Sequence, residues 1–465
     1  VVKAEDIRPG AEIDGFHVLE KVHEGSMAVL YRVSRPDIAQ PLLMKTPKLG
    51  FGAHPACYVG FEVEQMILEK LVGPHVAKFF AKGSVEDTPY LVMEYVEGQS
   101  LREAVGRAPL PAEEVARLGR ALATALHALH RQDVVHLDVK PGNILLRPGG
   151  EAVLVDFGLA RHGHLPDLVE EEFHAPVGTG AYISPEQVLG VRCDPRSDIY
   201  ALGVILYELA TGRLPFGSPT RLGGFRKRLY VEPQPPRALN PAVPEWLQEV
   251  ILRCLEVRWQ GRYATAAQVA HDLAHPEQVP VTERGRRLRR SGPAASAWRW
   301  LLALRHEPPP CPVPSAYLGS ALHVLVALDP AHATEVLGGA MLDAVRRVVT
   351  AEPHARVSCV SVLEPSILTE EEAGRELAHS LHTQRLMELR HWARPLALAQ
   401  ERLRFHVLES GNPAHALMEF ADGHHVDLIV IGARGSSTLR RLLGSVSSRV
   451  AAEARCSVTV VRIDQ

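Results

Sequence analysis

Eight residues, His136-Leu137-Asp138-Val139-Lys140-Pro141-Gly142-Asn143, followed thirteen residues after Asn143 by Asp156-Phe157-Gly158, constrain this chain more than any other feature. They bring a carboxylate, an ammonium group, an amide and a second carboxylate into one short span. A long amphipathic helix is predicted before them, from Pro111 to Arg131, with Leu118, Leu122, Leu126 and Leu129 on one stripe. Strands from Ile144 to Leu146 and Ala152 to Val155, on either side of a Pro-Gly-Gly turn, follow. A helix and a short hairpin therefore bracket the polar span.

At 465 residues the chain exceeds one ordinary core, since a domain takes roughly 150 residues, and two large units fit best. Hydrophobic residues at 46% and charged residues at 23% are the composition of a soluble globular protein. A formal net charge of -3 gives no global reason to expect nucleic acid or an anionic membrane as partner. Cys57, Cys193, Cys254, Cys311, Cys359 and Cys456 are scattered without a CxxC pair, which argues against a zinc ribbon and a disulfide scaffold. A reducing, cytoplasmic setting is the expectation. Nothing near residue 1 reads as a signal peptide, and no apolar run reaches the roughly 18 residues that span a bilayer.

The polar span resembles the catalytic loop and metal-binding turn of protein kinases, with His-Leu-Asp where that family usually has His-Arg-Asp. The resemblance implies that Asp138 orients and deprotonates an acceptor hydroxyl, that Lys140 stabilises the moving phosphoryl group, and that Asn143 and Asp156 bind Mg²⁺. It extends along the chain in order. Residues 12 to 33 alternate as two strands around Gly25; aligned on Gly25 and Tyr31, the family's G-x-G-x-x-G becomes His23-Glu24-Gly25-Ser26-Met27-Ala28, with only the middle glycine kept. Val22 and Leu30 then cover the adenine of ATP. Lys45 is expected to hold the α- and β-phosphates, and Leu43 replaces the usual alanine of the adenine pocket. A helical period from Phe61 to Leu71 places Glu64 to pair with Lys45.

Tyr90 to Gly98 resembles the hinge strand, with Met93 as gatekeeper, backbone groups of Glu94 and Val96 on adenine, and Leu145 as the pocket floor. Residues 159 to 186 match an activation segment that ends Gly178-Thr179-Gly180-Ala181-Tyr182-Ile183-Ser184-Pro185-Glu186, the Ser/Thr-kinase form. Thr179 is expected to bond Asp138 and Lys140. Asp198 is expected to brace the catalytic loop and Arg262 to pair with Glu186. His127, His130, Trp246 and Trp259 read as structural or packing residues.

From 276 to 318 the pattern breaks into five arginines between 284 and 290, Trp298 and Trp300, and a proline run from Pro308 to Pro314. Proline cannot continue a helix and makes a semi-rigid spacer. The segment reads as a solvated linker with a short helix packed on a domain.

Beyond 319, five strands interleave with four helices, which implies a doubly wound parallel sheet. Its helices include one from Thr334 to Thr350, a long region from Glu370 to Gln400 interrupted at Pro395, and one capped by Asn412 with Pro413 at its first position. The run Asp427-Leu428-Ile429-Val430-Ile431-Gly432-Ala433-Arg434-Gly435, then Leu442-Leu443-Gly444-Ser445-Val446, is similar to the universal stress protein family. Nucleotide-binding members have G-x₂-G-x₉-G-[S/T], and here the second spacing is one residue short. The resemblance implies a second nucleotide near Asp329, Gly432, Gly435, Gly444 and Ser445, with Asp329 and Gly432 meeting at the switch point of a 3-2-1-4-5 strand order. It also implies a homodimer through the last strand, where Val458, Val460 and Val461 lie.

The expected architecture is an α+β two-lobed protein kinase fold over 1–275, a linker over 276–318, and an α/β doubly wound five-stranded parallel sheet of universal stress protein type over 319–465. The expected activity is that of an ATP- and Mg²⁺-dependent Ser/Thr protein kinase acting on protein substrates, its C-terminal domain nucleotide-sensing or dimerising. The alternative is a nucleotide-binding pseudokinase scaffold, suggested by His23, Ala28 and Leu43. Leu137 adds a regulatory expectation. The cation that would receive a phosphate on the activation segment is missing, and Leu159 to Gly178 contains no Ser, Thr or Tyr, only Glu170-Glu171-Glu172.

Overall fold

The first hundred residues build an antiparallel sheet from β1 (Glu12–Ile13), β2 (Phe16–Glu24), β3 (Ala28–Arg35) and β4 (Ile38–Pro47), then, after helix α1 (Pro55–Leu68), β5 (Phe79–Lys82) and β6 (Leu91–Glu94). Its order is β1-β2-β3-β4-β6-β5. Alternate residues Val29, Tyr31 and Val33, with Leu42 and Met44 opposite, form the buried face. The computed structural model describes residues 7–48, 55–83, 88–172, 178–219, 221–290, 322–330, 333–363, 372–399, 402–424, 426–433 and 445–463.

Helix α1 departs from the predicted span of 61 to 71. It begins earlier because Tyr58 and Val59 are also buried, and it closes at Leu68, where Lys70 N–H turns back to the Ile67 carbonyl.

Below the sheet lies a helical lobe. Helix α2 (Ala112–His130) buries the predicted leucine stripe. The hairpin strands β7 (Ile144–Leu146) and β8 (Ala152–Leu154) pair antiparallel, and α3 (Leu168–Glu172) and α4 (Pro185–Val188) follow. Helix α5 (Arg196–Thr211) is buried nearly all round, as a helix at the centre of a core must be. Gly212 ends it with φ +67°, the left-handed conformation that closes a helix.

Past α6 (Glu245–Cys254), residues 276 to 287 pack on the lobe and do not yet leave it. Helix α7 (Glu283–Arg286) lies on α6, with Arg284 paired to Glu249 at 2.7 Å and Arg287 to Glu232 at 2.9 Å. The backbone of Gly285 comes so close that a Cβ there would stand 2.8 Å from the Glu245 carbonyl. The first arginines of the run are thus ion-pair partners of this lobe. Trp298, Trp300 and the proline run lie outside the described residues.

The C-terminal domain alternates β9 (His323–Ala327), α8 (Glu335–Ala351), β10 (Arg356–Leu363), α9 (Glu372–Ala393), β11 (Leu403–Glu409), α10 (Pro413–Gly423), β12 (Leu428–Gly432), α11 (Ser445–Glu453) and β13 (Ser457–Val461). All pairs are parallel, in the order β11-β10-β9-β12-β13, which is the predicted 3-2-1-4-5. Helices cover both faces: Leu337, Met341, Leu386 and Leu389 on one, Leu417, Phe420 and Val450 on the other. Thr334 and Asn412 cap their helices through side-chain oxygens, and α9 stops two residues before Pro395.

Among the described residues no helix is long and apolar enough to cross a membrane. Cys193 is disulfide-bonded, a bond that the cysteine spacing does not announce.

Candidate active site

The loop between α2 and β7 carries Asp138, whose buried carboxylate gathers four donors. Lys140 Nζ reaches Oδ2 at 2.6 Å and Asn143 Nδ2 reaches it at 3.1 Å. The N–H and hydroxyl of Thr179 reach Oδ1 at 3.1 and 2.7 Å. Lys140 also donates to Thr179 Oγ1 at 3.1 Å, so the loop and the end of the activation segment are tied through one carboxylate. His136 sets the loop's shape: Asp138 N–H donates to its Nδ1 at 3.3 Å, which leaves Nε2–H facing the Val155 carbonyl at 3.2 Å.

Across the cleft, Lys45 on β4 lies between two carboxylates. Its Nζ donates to Glu64 of α1 at 2.6 Å and to Asp156 at 2.8 Å. Burial alone pulls the pKa of this ammonium down, but Asp156 and Glu64 together outweigh it and hold the lysine charged. The same ammonium is the main reason that Asp156 is depressed to about 2. Asp156 is therefore a carboxylate at any physiological pH, and its side chain is 45% exposed toward the cleft.

A hard cation needs oxygen ligands, and two are present. Asn143 turns its amide nitrogen to the carbonyl and carboxylate of Asp138, which leaves its oxygen as acceptor, and Asp156 is ionised. This donor set fits Mg²⁺.

The apolar groups expected around a purine lie at the junction of sheet and helical lobe. Met93 and Val96 are buried in the core, with Leu43 and Leu145 partly buried against it; Leu43 stands opposite Met93 in the β4–β6 register. Leu30 is half-buried, and Val22 is 42% exposed. The N–H of Gly25 bonds the Ala28 carbonyl at 2.9 Å and closes its own turn. Glu94 N–H is engaged with the Lys78 carbonyl at 2.8 Å.

Several residues that hold this geometry are absent from the sequence reading. Gln187 Nε2 donates to the Leu137 carbonyl at 2.8 Å, and with Ser184 it forms a capping box on α4. The S-x-x-Q spacing is a signal that finds it. Arg228, fully buried, donates to the carbonyls of Ile183 and Gly180. Arg192 donates to Asp167 at 2.8 Å and to the Leu159 carbonyl at 2.9 Å, which anchors the start of the segment. The expected pair of Glu186 and Arg262 is present as a buried two-pronged ion pair at 2.6 and 2.8 Å. His130 lies 2.9 Å from Asp198, and Trp259 carries the Arg196 guanidinium 3.9 Å over its ring, both packing roles.

In the C-terminal domain, Asp329 follows β9 and Gly432 closes β12, at adjoining strand ends where Ala327 stands opposite Ile431. Arg385 of α9 donates to Asp329 at 2.5 Å. A Cβ at Gly432 would stand 3.0 Å from Met341 Sδ and 3.1 Å from Leu337 Cδ2, so the packing of α8 also requires that glycine. Gly435 and Gly444 lie outside the described residues, as does the Ser445 side chain, although Ser445 opens α11.

Comparison with known proteins follows the same division. The protein kinase domain model matches residues 16–274, and the universal stress protein family model matches residues 322–462. The serine/threonine-protein kinase Pkn1 of Myxococcus xanthus is 34% identical over 292 residues, covering 61% of this chain and 42% of that protein. The serine/threonine-protein kinase PknL of Mycobacterium tuberculosis is 32% identical over 268 residues, 57% of this chain and 67% of that one. The crystal structure of the Mycobacterium tuberculosis PknI kinase domain covers 58% of this chain and 99% of its own at 23% identity, with a TM-score of 0.46. The chain spans about two fifths of the length of the first curated relatives it matches.

Proposed function

This chain belongs to the protein kinase family, and on that premise we propose that it transfers the γ-phosphoryl group of ATP to serine or threonine hydroxyls of proteins. The observation that carries the reading is the Asp138 carboxylate, held at once by Lys140, Asn143 and Thr179. An acceptor hydroxyl that displaces the Thr179 hydroxyl from Asp138 meets a base already oriented, with the Lys140 ammonium beside it. Lys45, fixed by Glu64, grips the phosphates of ATP, and the apolar set around Met93, Val96, Leu43 and Leu145 holds its purine. Asn143 and Asp156 would hold Mg²⁺, which would supply charge neutralisation at the phosphates. The substitutions at His23, Ala28 and Leu43 leave the Asp138 set intact, which favours turnover over a scaffold without it.

The start of the activation segment is anchored by a carboxylate and not by a phosphate. Leu137 is buried and carries no charge to receive a phosphate, whereas Asp167 meets Arg192 at 2.8 Å. We end the kinase unit at about 287, where Arg287 still pairs with Glu232, and read 319–465 as a regulatory module that senses a second nucleotide at Asp329 and Gly432 or pairs with a second copy along β13. The ends of β9 and β12 support the first role, and the edge position of β13 supports the second. Saturable binding of a second ATP by a Lys45→Met chain, abolished by Asp329→Ala, tests the first against the second.

For the enzymatic reading, labelled ATP with Mg²⁺ is offered with basic peptides that differ only in a Ser, Thr or Tyr acceptor. The expected result is label on the Ser and Thr peptides. Label on the Tyr peptide alone, or on none, overturns it.

A further inference from the structure

The C-terminal domain touches the kinase domain at the two elements that set the catalytic cleft. Arg390 of α9 forms an ion pair with Glu62 of α1, their side chains only 10% and 13% exposed. The same guanidinium lies 4.6 Å from the Tyr58 ring centroid and 4.9 Å from that of Phe405 on β11. Tyr58 donates its hydroxyl to Met387 Sδ at 3.0 Å, and Met387 packs on the core of the kinase domain. On the activation segment, Glu172 of α3 lies 3.2 Å from His382 Nε2 and 3.6 Å from His406 Nδ1.

Helix geometry passes these contacts to the active site. Tyr58 and Glu62 are one turn apart and face the C-terminal domain. Gly60 and Glu64 lie on the other side of the same helix. Gly60 packs so closely on Asp156-Phe157-Gly158 that a Cβ there would stand 3.3 Å from the Gly158 carbonyl, while Glu64 takes Lys45 at 2.6 Å and the backbone N–H of Phe157. A displacement of α1 therefore moves Glu64 away from Lys45 and releases the turn that carries Asp156. Charges as little exposed as Glu62 and Arg390 are costly to leave without each other, which argues that this face of α1 is built for a cationic partner held close.

We propose that the C-terminal domain docks in cis on α1 and α3 and holds Glu64 against Lys45, so that the chain's own second domain supplies the ordering that a phosphorylated activation segment supplies elsewhere. The inference rests on the phosphotransfer reading for its effect on rate, but not for the docking itself. The same helix offers an input. Arg385, three residues beyond His382 and two before Met387, holds Asp329 at 2.5 Å. A ligand that engages Asp329 competes with an arginine of the docking helix for that carboxylate.

The test uses the full chain as wild type, Arg390→Glu, Glu62→Arg and the double exchange, with two readouts: amide hydrogen exchange over 55–68 and 168–172, and phosphate transfer to a basic protein. Each single reversal is expected to speed exchange in both segments and to lower transfer about tenfold or more, the size of an ordinary coupling between sites. The double exchange is expected to recover both. Exchange unchanged in Arg390→Glu overturns the docking; faster exchange with undiminished transfer overturns the control. A wild type that transfers no phosphate while its exchange still responds overturns the phosphotransfer reading and leaves the docking standing. If Arg390→Glu does not fold, His382→Ala, which removes the contact to Glu172 of α3 and a longer one to Glu409 within the C-terminal domain, carries the same two readouts over 168–172.

Discussion

Asp198 Oδ1 accepts the backbone N–H of Leu137 at 2.9 Å, while its Oδ2 accepts that of His136 at the same distance. Leu137 has φ +62°, a left-handed conformation that strains a branched side chain by about 1–3 kcal/mol. A buried carboxylate with two N–H groups offsets that strain, and Gln187 takes the Leu137 carbonyl from the other side. This bend delivers Asp138 to its donors. Asp198→Ala leaves those N–H groups and His130 without their acceptor, and is expected to cost about 3–5 kcal/mol of stability. Urea unfolding measures it; a loss below about 1 kcal/mol, the level of an ordinary hydrogen bond, contradicts the bracing role.

Activity should not depend on phosphate in the activation segment. Phosphatase treatment before assay is expected to leave the transfer rate unchanged, because Leu159 to Gly178 offers no acceptor and Asp167 already occupies Arg192. Asp167→Ala strips Arg192 of its anion and is expected to lower the rate. Loss of activity on phosphatase treatment, mapped to 159–186, is the contrary result.

Glu64 is the test of the sheet-to-helix link. Glu64→Gln replaces an ion pair at 2.6 Å with a hydrogen bond from the Lys45 ammonium to a neutral amide, and leaves Lys45 to Asp156. A loss of about 1.5–3 kcal/mol corresponds to roughly 10- to 150-fold in kcat/KM for ATP. Steady-state kinetics over ATP concentration measures it, and an unchanged kcat/KM contradicts the pairing.

Acid stability should report on Glu186. Burial pushes its pKa up, but Arg262 and the Ser197 hydroxyl more than reverse this, so that it falls below the ordinary 4.5. A depressed folded pKa contributes stability that is fully present above the unfolded value and is lost as pH falls through the folded one. The wild type is therefore expected to lose stability as pH drops below 4.5, more steeply than Glu186→Gln. That variant strands the buried Arg262 and starts about 3–5 kcal/mol lower at neutral pH. Equal acid slopes in paired unfolding series contradict the assignment.

Much of this was legible because the informative spacings are local. Asp138, Lys140 and Asn143 lie on one loop, and the strand order of the second domain follows from strict alternation of strand and helix. Long-range contacts leave no such mark. Nothing in Glu170-Glu171-Glu172 says that the last of them meets His382 and His406, more than two hundred residues away. Arg228 reads as one more cation until the fold buries it under two carbonyls. The early start of α1 was hidden because Tyr58 and Val59 are buried by the lobe and by α9, which no local period encodes. The arginine run misled in part, since Arg284 and Arg287 pair with Glu249 and Glu232 of a lobe that its composition suggested it had left.

The most direct measurement is phosphate transfer from labelled ATP with Mg²⁺, onto the chain itself and onto a basic protein, by wild type and Asp138→Asn side by side. The amide keeps the shape of the side chain but cannot accept the hydroxyl proton, and the expected loss is about 10²- to 10⁴-fold, the usual contribution of a positioned base. Equal labelling by the two proteins would contradict the assignment of Asp138 and with it the phosphotransfer reading.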